Sequence, residues 1–210
     1  MMKLIDLSLT VSKEMAGVNI SPARLLERDG WNATTLELYS HCGTHVDAPI
    51  HFGVSDETID QMPLDKFNAQ AWMVDCTSVG DSGLIEVEHL GEVASKVQPG
   101  EGLIFKTGWS SKFGTPDYRD KLPRISKGLA NWLVTNKVRM IGVEPPSVAD
   151  VNNIDEVTHI HEILLGGDVT ILEGLTNLDA IEDEKVWLMA LPLKIKDGDG
   201  CPARAVAIVK

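Results

Sequence analysis

The chain has 210 residues, is 43% apolar, and carries a formal net charge of −12 from 19 basic and 31 acidic side chains. This acidic excess opposes binding to phosphate backbones, which argues against a nucleic-acid partner, and no apolar run approaches the about 20 residues that span a membrane. Because the first residues also lack the apolar stretch of a signal peptide, we expect a cytoplasmic protein with one domain over residues 1–210.

Alternating and apolar runs predict more strands than helices. In chain order, the predicted strands are 3–10, 34–40, 71–76, 103–106, 138–143, 169–172, 186–191 and 203–209. Helical spacing occurs over 87–97, and again in a segment that begins at Ser126 as N-cap and runs through Asn136. This balance predicts an α/β or α+β domain around a mixed, barrel-like sheet with few helices.

The first candidate site is a histidine-rich window, HCGTHVDAPIHF, over residues 41–52. In extended backbone, positions 41, 45, 47 and 51 point to the same face because side chains alternate. A straight strand would spread them over about 33 Å, so the chain must bend, and Gly43 and Pro49 are where bending is easiest. Imidazole and carboxylate are the ligands of borderline ions such as zinc, manganese or iron. The window predicts a metal site formed by His41, His45, Asp47 and His51.

A second window adds His159 and His161, followed by Glu173 at the end of a predicted strand. A side chain at that position can face a cleft and offer a further carboxylate to a metal. Taken alone this window is weak evidence, since a single histidine is more often a packed or surface residue than a ligand. The residues themselves leave open which of the two histidines would join the site.

The first window resembles the motif of the cyclase-like metal-dependent hydrolases, H-x-G-T-H-x-D-x-P-x-H-F, which matches from His41 to Phe52. That family includes the bacterial kynurenine formamidases and the isatin hydrolases. The likeness extends over nearly the whole chain, through the segments Asp6–Leu9, Thr107–Trp109, Gly142–Val148, Glu173–Leu178, Leu191–Lys194 and Pro202–Arg204.

The resemblance implies a compact, swivelling β/β/α-type domain with a mixed, barrel-like sheet, found as a homodimer or a higher oligomer. It implies that Zn²⁺ or Mn²⁺, as two ions per chain, is held by His41, His45, Asp47, His161 and Glu173. His161 is preferred over His159 because it lies twelve residues before Glu173, as in the family. In the same comparison His51 is the proton-transfer residue.

The expected activity is hydrolysis of an amide bond by metal-activated water, with a histidine as proton shuttle. The implied substrate is a small molecule, either an aryl formamide such as N-formylkynurenine or a cyclic amide. Two alternatives are also compatible with the sequence: a metal-binding relative without catalysis, and a cyclase or lyase acting on a ring-forming carbonyl compound. The second alternative needs an aromatic pocket, and the aromatic content of 5% disfavours it.

Overall fold

The apolar runs of the sequence form strands in a computed structural model that describes residues 2–209. Twelve strands occur within those residues: β1 (Lys3–Asp6), β2 (Val18–Arg24), β3 (Ala33–Leu38), β4 (His45–Asp47), β5 (Asn68–Asp75), β6 (Leu84–Ile85), β7 (Gly102–Lys106), β8 (Arg124–Ile125), β9 (Met140–Val143), β10 (Thr170–Glu173), β11 (Lys185–Pro192) and β12 (Gly200–Val209). The five α-helices of the same residues are α1 (Leu26–Asp29), α2 (Val93–Lys96), α3 (Asp117–Asp120), α4 (Lys127–Thr135) and α5 (Ile154–Gly166).

Seven strands close into a barrel in the order β12-β11-β5-β7-β9-β10-β4, and β4 pairs back with β12. The pairs β5–β7, β7–β9 and β9–β10 are parallel, whereas the other four are antiparallel, so the sheet is mixed. One edge of β12 has two partners, because its first part pairs with β4 and its last part pairs with β1. The predicted mixed, barrel-like α/β fold is confirmed.

The parallel strands β7, β9 and β10 are buried on both faces, which explains their largely apolar sequences. In β7, Leu103 and Phe105 pack on one side with residues of α4 and α5, including Leu129 and Leu164. Ile104, between them in the sequence, points to the opposite side and joins the cluster inside the barrel. Two cores therefore lie on the two sides of one sheet.

The helices differ from the sequence predictions in two places. The segment 87–97 is not one helix but a 3₁₀ turn over Val87–Leu90 followed by α2, because Gly91 takes a positive φ of 51° between them. Helix α5 was not predicted, although Asn153 caps it by accepting a hydrogen bond from the backbone N–H of Glu156. The predicted N-cap Ser126 is confirmed and accepts from the backbone N–H of Leu129.

Strands β2 and β3 form a separate two-stranded hairpin outside the barrel. The predicted strand over 34–40 is present, but its Leu36 is 59% exposed and so does not belong to either core. Among residues 2–209, no helix combines the length and apolar character needed to cross a membrane.

Candidate metal centre

Strand β4 carries two of the predicted ligands and places them by its pairing. In its register with β10, His45 lies opposite Glu173. On its other edge, Asp47 lies opposite Gly200 of β12. Since β4 closes the barrel, these pairings bring a carboxylate from a strand far along the chain next to the histidine window.

Two glycines shape the approach to β4. Gly43 has a φ of 64°, so the chain turns between His41 and His45 where the sequence predicts a bend. Gly174, with a φ of 69°, passes so close that a Cβ there would lie 2.3 Å from the carbonyl oxygen of Gly43. The hydroxyl of Thr44 donates to the carbonyl oxygen of Gly174 at 2.5 Å and holds the two segments together.

His161 reaches the same place from α5, where it is buried among apolar residues. His159 lies on the exposed side of that helix. The structure thus brings together His41, His45, Asp47, His161 and Glu173, and it leaves His159 outside.

The rings of His45 and His161 are oriented by backbone carbonyls. Nδ1 of His45 lies 3.0 Å from the carbonyl oxygen of Gly43, and Nδ1 of His161 lies 2.6 Å from that of Val157. Because a carbonyl only accepts, Nδ1 of each ring carries the proton. Nε2 of each ring is then the nitrogen that can bind a metal, once the metal has displaced any proton held there.

The Nε2 atoms of these two rings face the two carboxylates. Nε2 of His45 lies 3.2 Å from Oε2 of Glu173, and Nε2 of His161 lies 3.5 Å from both Oδ2 of Asp47 and Oε1 of Glu173. Nδ1 of the third imidazole, His41, lies 2.9 Å from Oδ1 of Asp47.

Oδ2 of Asp47 is buried and has no hydrogen-bond partner within residues 2–209. A buried carboxylate oxygen of this kind is costly unless a cation binds it, so the residues fit a metal ion.

The five side chains form two overlapping groups whose ligand atoms lie within 4.8 Å of one another. One group consists of His41, His45 and Asp47, and the other of Asp47, His161 and Glu173. Asp47 belongs to both, and its two oxygens face different groups, as the distances above show. The arrangement offers places for two cations joined by one carboxylate.

The charges of the site perturb its pKa values strongly. Burial lowers the pKa of His45, but the hydrogen bond and charge of Glu173, together with the charge of Asp47, outweigh it and raise the pKa to about 9. Burial raises the pKa of Asp47, yet the nearby imidazoles hold it well below its usual range. In the absence of a metal, protons on the imidazoles thus balance the carboxylates, and a cation would take their place.

His51 lies at the wall of a cavity of about 530 Å³ beside this cluster. Its ring stacks on that of His41 with 3.8 Å between centroids, and burial lowers its pKa. The cavity also has aromatic and aliphatic walls that the sequence did not reveal, formed by Leu9, Met15, Tyr39, Phe52, Phe113, Tyr118, Val151 and Val157.

Sequence reasoning missed Asp199, which lies just before β12. Its Oδ2 is 3.3 Å from Nε2 of His41 and 3.7 Å from Nδ1 of His51. The only sequence signal was an acidic, glycine-rich turn, Asp197-Gly198-Asp199-Gly200, and such turns are common on protein surfaces.

Sequence similarity to known proteins identifies the family of the chain. Residues 5–150 match the cyclase family model, described as "Putative cyclase". The chain is 32% identical over 213 residues to a kynurenine formamidase of Salinibacter ruber (strain DSM 13855 / M31), covering 98% of this chain and 97% of that protein. It is also 32% identical over 183 residues to a kynurenine formamidase of Erythrobacter litoralis (strain HTCC2594), covering 87% and 80%.

Solved structures show the same fold. Isatin hydrolase A from Ralstonia solanacearum aligns with a TM-score of 0.89 at 22% identity, covering 100% of this chain and 92% of that chain. A structure described as a potential metal-dependent hydrolase with cyclase activity aligns with a TM-score of 0.79 at 22% identity, covering 100% and 99%. The family model and the identity to the formamidases show that the chain belongs to the cyclase family.

Proposed function

We propose that this chain is a metal-dependent hydrolase that cleaves an amide bond in a small molecule. The observation that carries the proposal is the buried cluster of three imidazoles and two carboxylates, with an unpartnered oxygen on Asp47, at the wall of a cavity. The relatives named kynurenine formamidase and the structural similarity to isatin hydrolases support an aryl formamide, such as N-formylkynurenine, or a cyclic amide as substrate.

The ligands of the metal would be His41, His45, Asp47, His161 and Glu173. Imidazole with carboxylate favours Zn²⁺ or Mn²⁺, and the two overlapping groups support two ions. Such ions lower the pKa of water and polarise a carbonyl oxygen, which is the chemistry that amide hydrolysis requires.

His51 is the residue of this chain that we assign to proton transfer. It faces the cavity with a quarter of its side chain exposed, and its Nδ1 faces Asp199, which leaves Nε2 for the reaction. As water adds to the substrate carbonyl carbon, His51 takes a proton from it at Nε2. It then gives that proton to the nitrogen as the carbon–nitrogen bond breaks, so that a formamide yields an amine and formate.

The cavity walls would hold the substrate and exclude water. Phe52 and Tyr118 contribute aromatic faces near the cluster, and Arg119 and Glu14 contribute charged groups to the lining. An aromatic amide fits such a lining better than a purely aliphatic one does, since aromatic rings pack on each other with specific geometry.

The alternative of a metal-binding protein without catalysis is less well supported, because His51 lies at the cavity wall and is not fully buried. The low aromatic content is no argument against a cyclase or lyase, since the cavity has aromatic walls. These alternatives are separated by the products formed, which the following experiment measures.

The test combines metal analysis with an assay on one sample purified without chelator. We expect one to two equivalents of zinc or manganese by elemental mass spectrometry, and kynurenine formation from N-formylkynurenine. Chelation should abolish turnover, and adding back Zn²⁺ or Mn²⁺ separately should show which ion restores it. If the protein binds metal but turns over only cyclic amides, the assigned substrate becomes a cyclic amide. A protein that binds neither ion would contradict the proposal. Light scattering on the same sample tests the expected homodimer or tetramer.

A further inference from the structure

The three imidazoles of the cluster each have an acceptor next to the nitrogen that faces away from the carboxylate pair. A histidine that binds a metal through one nitrogen usually donates from the other, and this second contact fixes the tautomer and the ring orientation. For His45 and His161 the acceptors are backbone carbonyls. For His41 the acceptor is the side chain of Asp199. Nδ1 of His41 faces Asp47, which is one of the carboxylate pair, and Nε2 lies 3.3 Å from Oδ2 of Asp199.

The backbone holds Asp199 in this position. The backbone N–H of Ala48 donates to the carbonyl oxygen of Asp199 at 3.0 Å, and the next residue, Gly200, pairs with Asp47 in the barrel. A Cβ at position 200 would lie 2.5 Å from Cε1 of His41, so this close approach requires glycine. The contact is therefore a product of barrel closure, although half of the Asp199 side chain is exposed.

The same carboxylate oxygen also faces the proton-transfer residue. Oδ2 of Asp199 lies 3.7 Å from Nδ1 of His51, and the ring of His51 stacks on that of His41 at an angle of 23°. One carboxylate thus lies against the outer edges of two stacked imidazoles, of which one is a predicted ligand and the other the predicted proton shuttle.

We propose that Asp199 is a positioning residue that accepts a hydrogen bond from Nε2 of His41 and keeps the lone pair of Nδ1 directed at the metal. Through the same oxygen it keeps the ring of His51 aligned with that of His41. The inference rests on the proposed function, since it needs a metal at the site. It goes beyond that function in naming a residue outside the ligand set that sets metal affinity.

Two variants of Asp199 test this, with a control from the same loop. Asp199→Ala removes the hydrogen-bond acceptor, and Asp199→Asn replaces the carboxylate with a neutral amide oxygen, which is a weaker acceptor. Asp197→Asn removes the same charge two residues away, where the side chain is 71% exposed. We expect Asp199→Ala to weaken Zn²⁺ binding about 10- to 100-fold, measured by competition with a chromophoric chelator. Asp199→Asn should weaken it less, and Asp197→Asn should stay within about twofold of the wild type.

A second readout reports the tautomer directly. In zinc-loaded protein, ¹⁵N spectra of the histidine rings should show His41 protonated at Nε2, and Asp199→Ala should change that signal while those of His45 and His161 persist. At saturating Zn²⁺ we expect a lower kcat with N-formylkynurenine and a similar KM, because the ring of His51 is less well aligned. Circular dichroism checks folding, and Asp199→Asn serves if the alanine variant does not fold.

The outcomes separate the two proposals. A wild-type protein that does not bind Zn²⁺ would contradict the proposed function. A wild type that binds Zn²⁺, with Asp199→Ala equal to it in affinity and in the His41 spectrum, would contradict the role of Asp199 and leave the hydrolase proposal standing.

Discussion

His51 can be distinguished experimentally from the residues assigned as metal ligands. Removing a general acid–base group lowers turnover about 10²- to 10⁴-fold without removing the metal. We therefore expect His51→Ala to lose turnover by that factor while its zinc or manganese content, measured by elemental mass spectrometry, stays at the wild-type level.

The control for this substitution is His159→Asn, which changes an exposed histidine on the helix that carries His161. It should leave both turnover and metal content unchanged. If His51→Ala loses metal together with activity, His51 is a ligand and the division of roles is wrong.

The residues of the site differ in how far the sequence could predict them. His41, His45, Asp47 and His51 lie within eleven positions, so their pattern was visible without knowledge of the fold. Asp199 joins them only through the pairing of β12 with β4, and no local spacing indicates that contact. Glu173 and His161 were selected by resemblance, and their assignment as ligands stays a prediction that the geometry supports.

At the scale of elements, Gly174 allows the chain after β10 to approach the turn before β4 more closely than a residue with a Cβ could. Its φ of 69° and its contact with Gly43 mean that Gly174→Ala adds both backbone strain and a clash. Strain alone costs about 1–2 kcal/mol for an alanine in this conformation. We expect the free energy of unfolding, measured with denaturant, to fall by clearly more than that amount.

Gly80→Ala is the matched control, because Gly80 has a φ of 70° and open space around its Cα. It should show the strain without the clash. Equal losses in the two variants would mean that the contact between Gly174 and Gly43 relaxes at no cost, and that the two segments are not tightly held.

Glu101 is the residue before β7, and its side chain contacts the two strands β5 and β11. Trp72 of β5 donates to it from Nε1 at 2.7 Å, and Lys185 of β11 forms an ion pair with it. Burial raises the pKa of Glu101, but these contacts and a backbone N–H from Gln98 outweigh burial and lower it. A lowered pKa in the folded state stabilises the protein above the pKa of the unfolded chain, about 4.3, and this stabilisation is lost as the pH falls.

We predict that Glu101→Gln lowers the free energy of unfolding by about 1–3 kcal/mol at pH 7, with the difference shrinking toward zero as the pH falls below about 4. Glu92→Gln removes an exposed ion pair to Lys96 and should have no measurable effect. A difference for Glu101→Gln that does not change with pH would show that the charge is not responsible.

The elements also show where sequence patterns were sufficient. Buried strands such as β7 and β9 were predicted because both faces are apolar. The hairpin partner β2 was not predicted, since Pro22 interrupts its alternation and most of its residues are exposed. Helix α5 was not predicted, although its buried residues Val157, Ile160 and Leu164 keep helical spacing.

At the scale of the whole molecule, barrel closure makes each strand depend on its neighbours. The two cores share one sheet, so we keep the prediction that residues 1–210 form a single domain. Unfolding followed by tryptophan fluorescence and by circular dichroism should then give one coincident transition. Two separate midpoints would contradict a single cooperative unit.

Metal removal should move that transition without splitting it. An ion that binds only the folded chain stabilises it by about 2.7 kcal/mol when its concentration is 100 times the Kd. We expect chelator to lower the midpoint for both probes together, and added Zn²⁺ or Mn²⁺ to restore it. An unchanged midpoint, in a sample shown to have lost its metal, would argue that the ion does not bind the buried cluster.

The pairing of Asp47 with Gly200 has a consequence for how the protein is made. More than 150 residues separate these partners, so a ribosome synthesises the histidine window long before the strand that completes its surroundings. The nascent chain can expose imidazoles to the cell's metal pool, but it cannot hold an ion in the closed barrel until β12 has emerged. We therefore expect the metals available to the newly finished chain to decide which ion is bound, because the ligand set alone discriminates poorly among them.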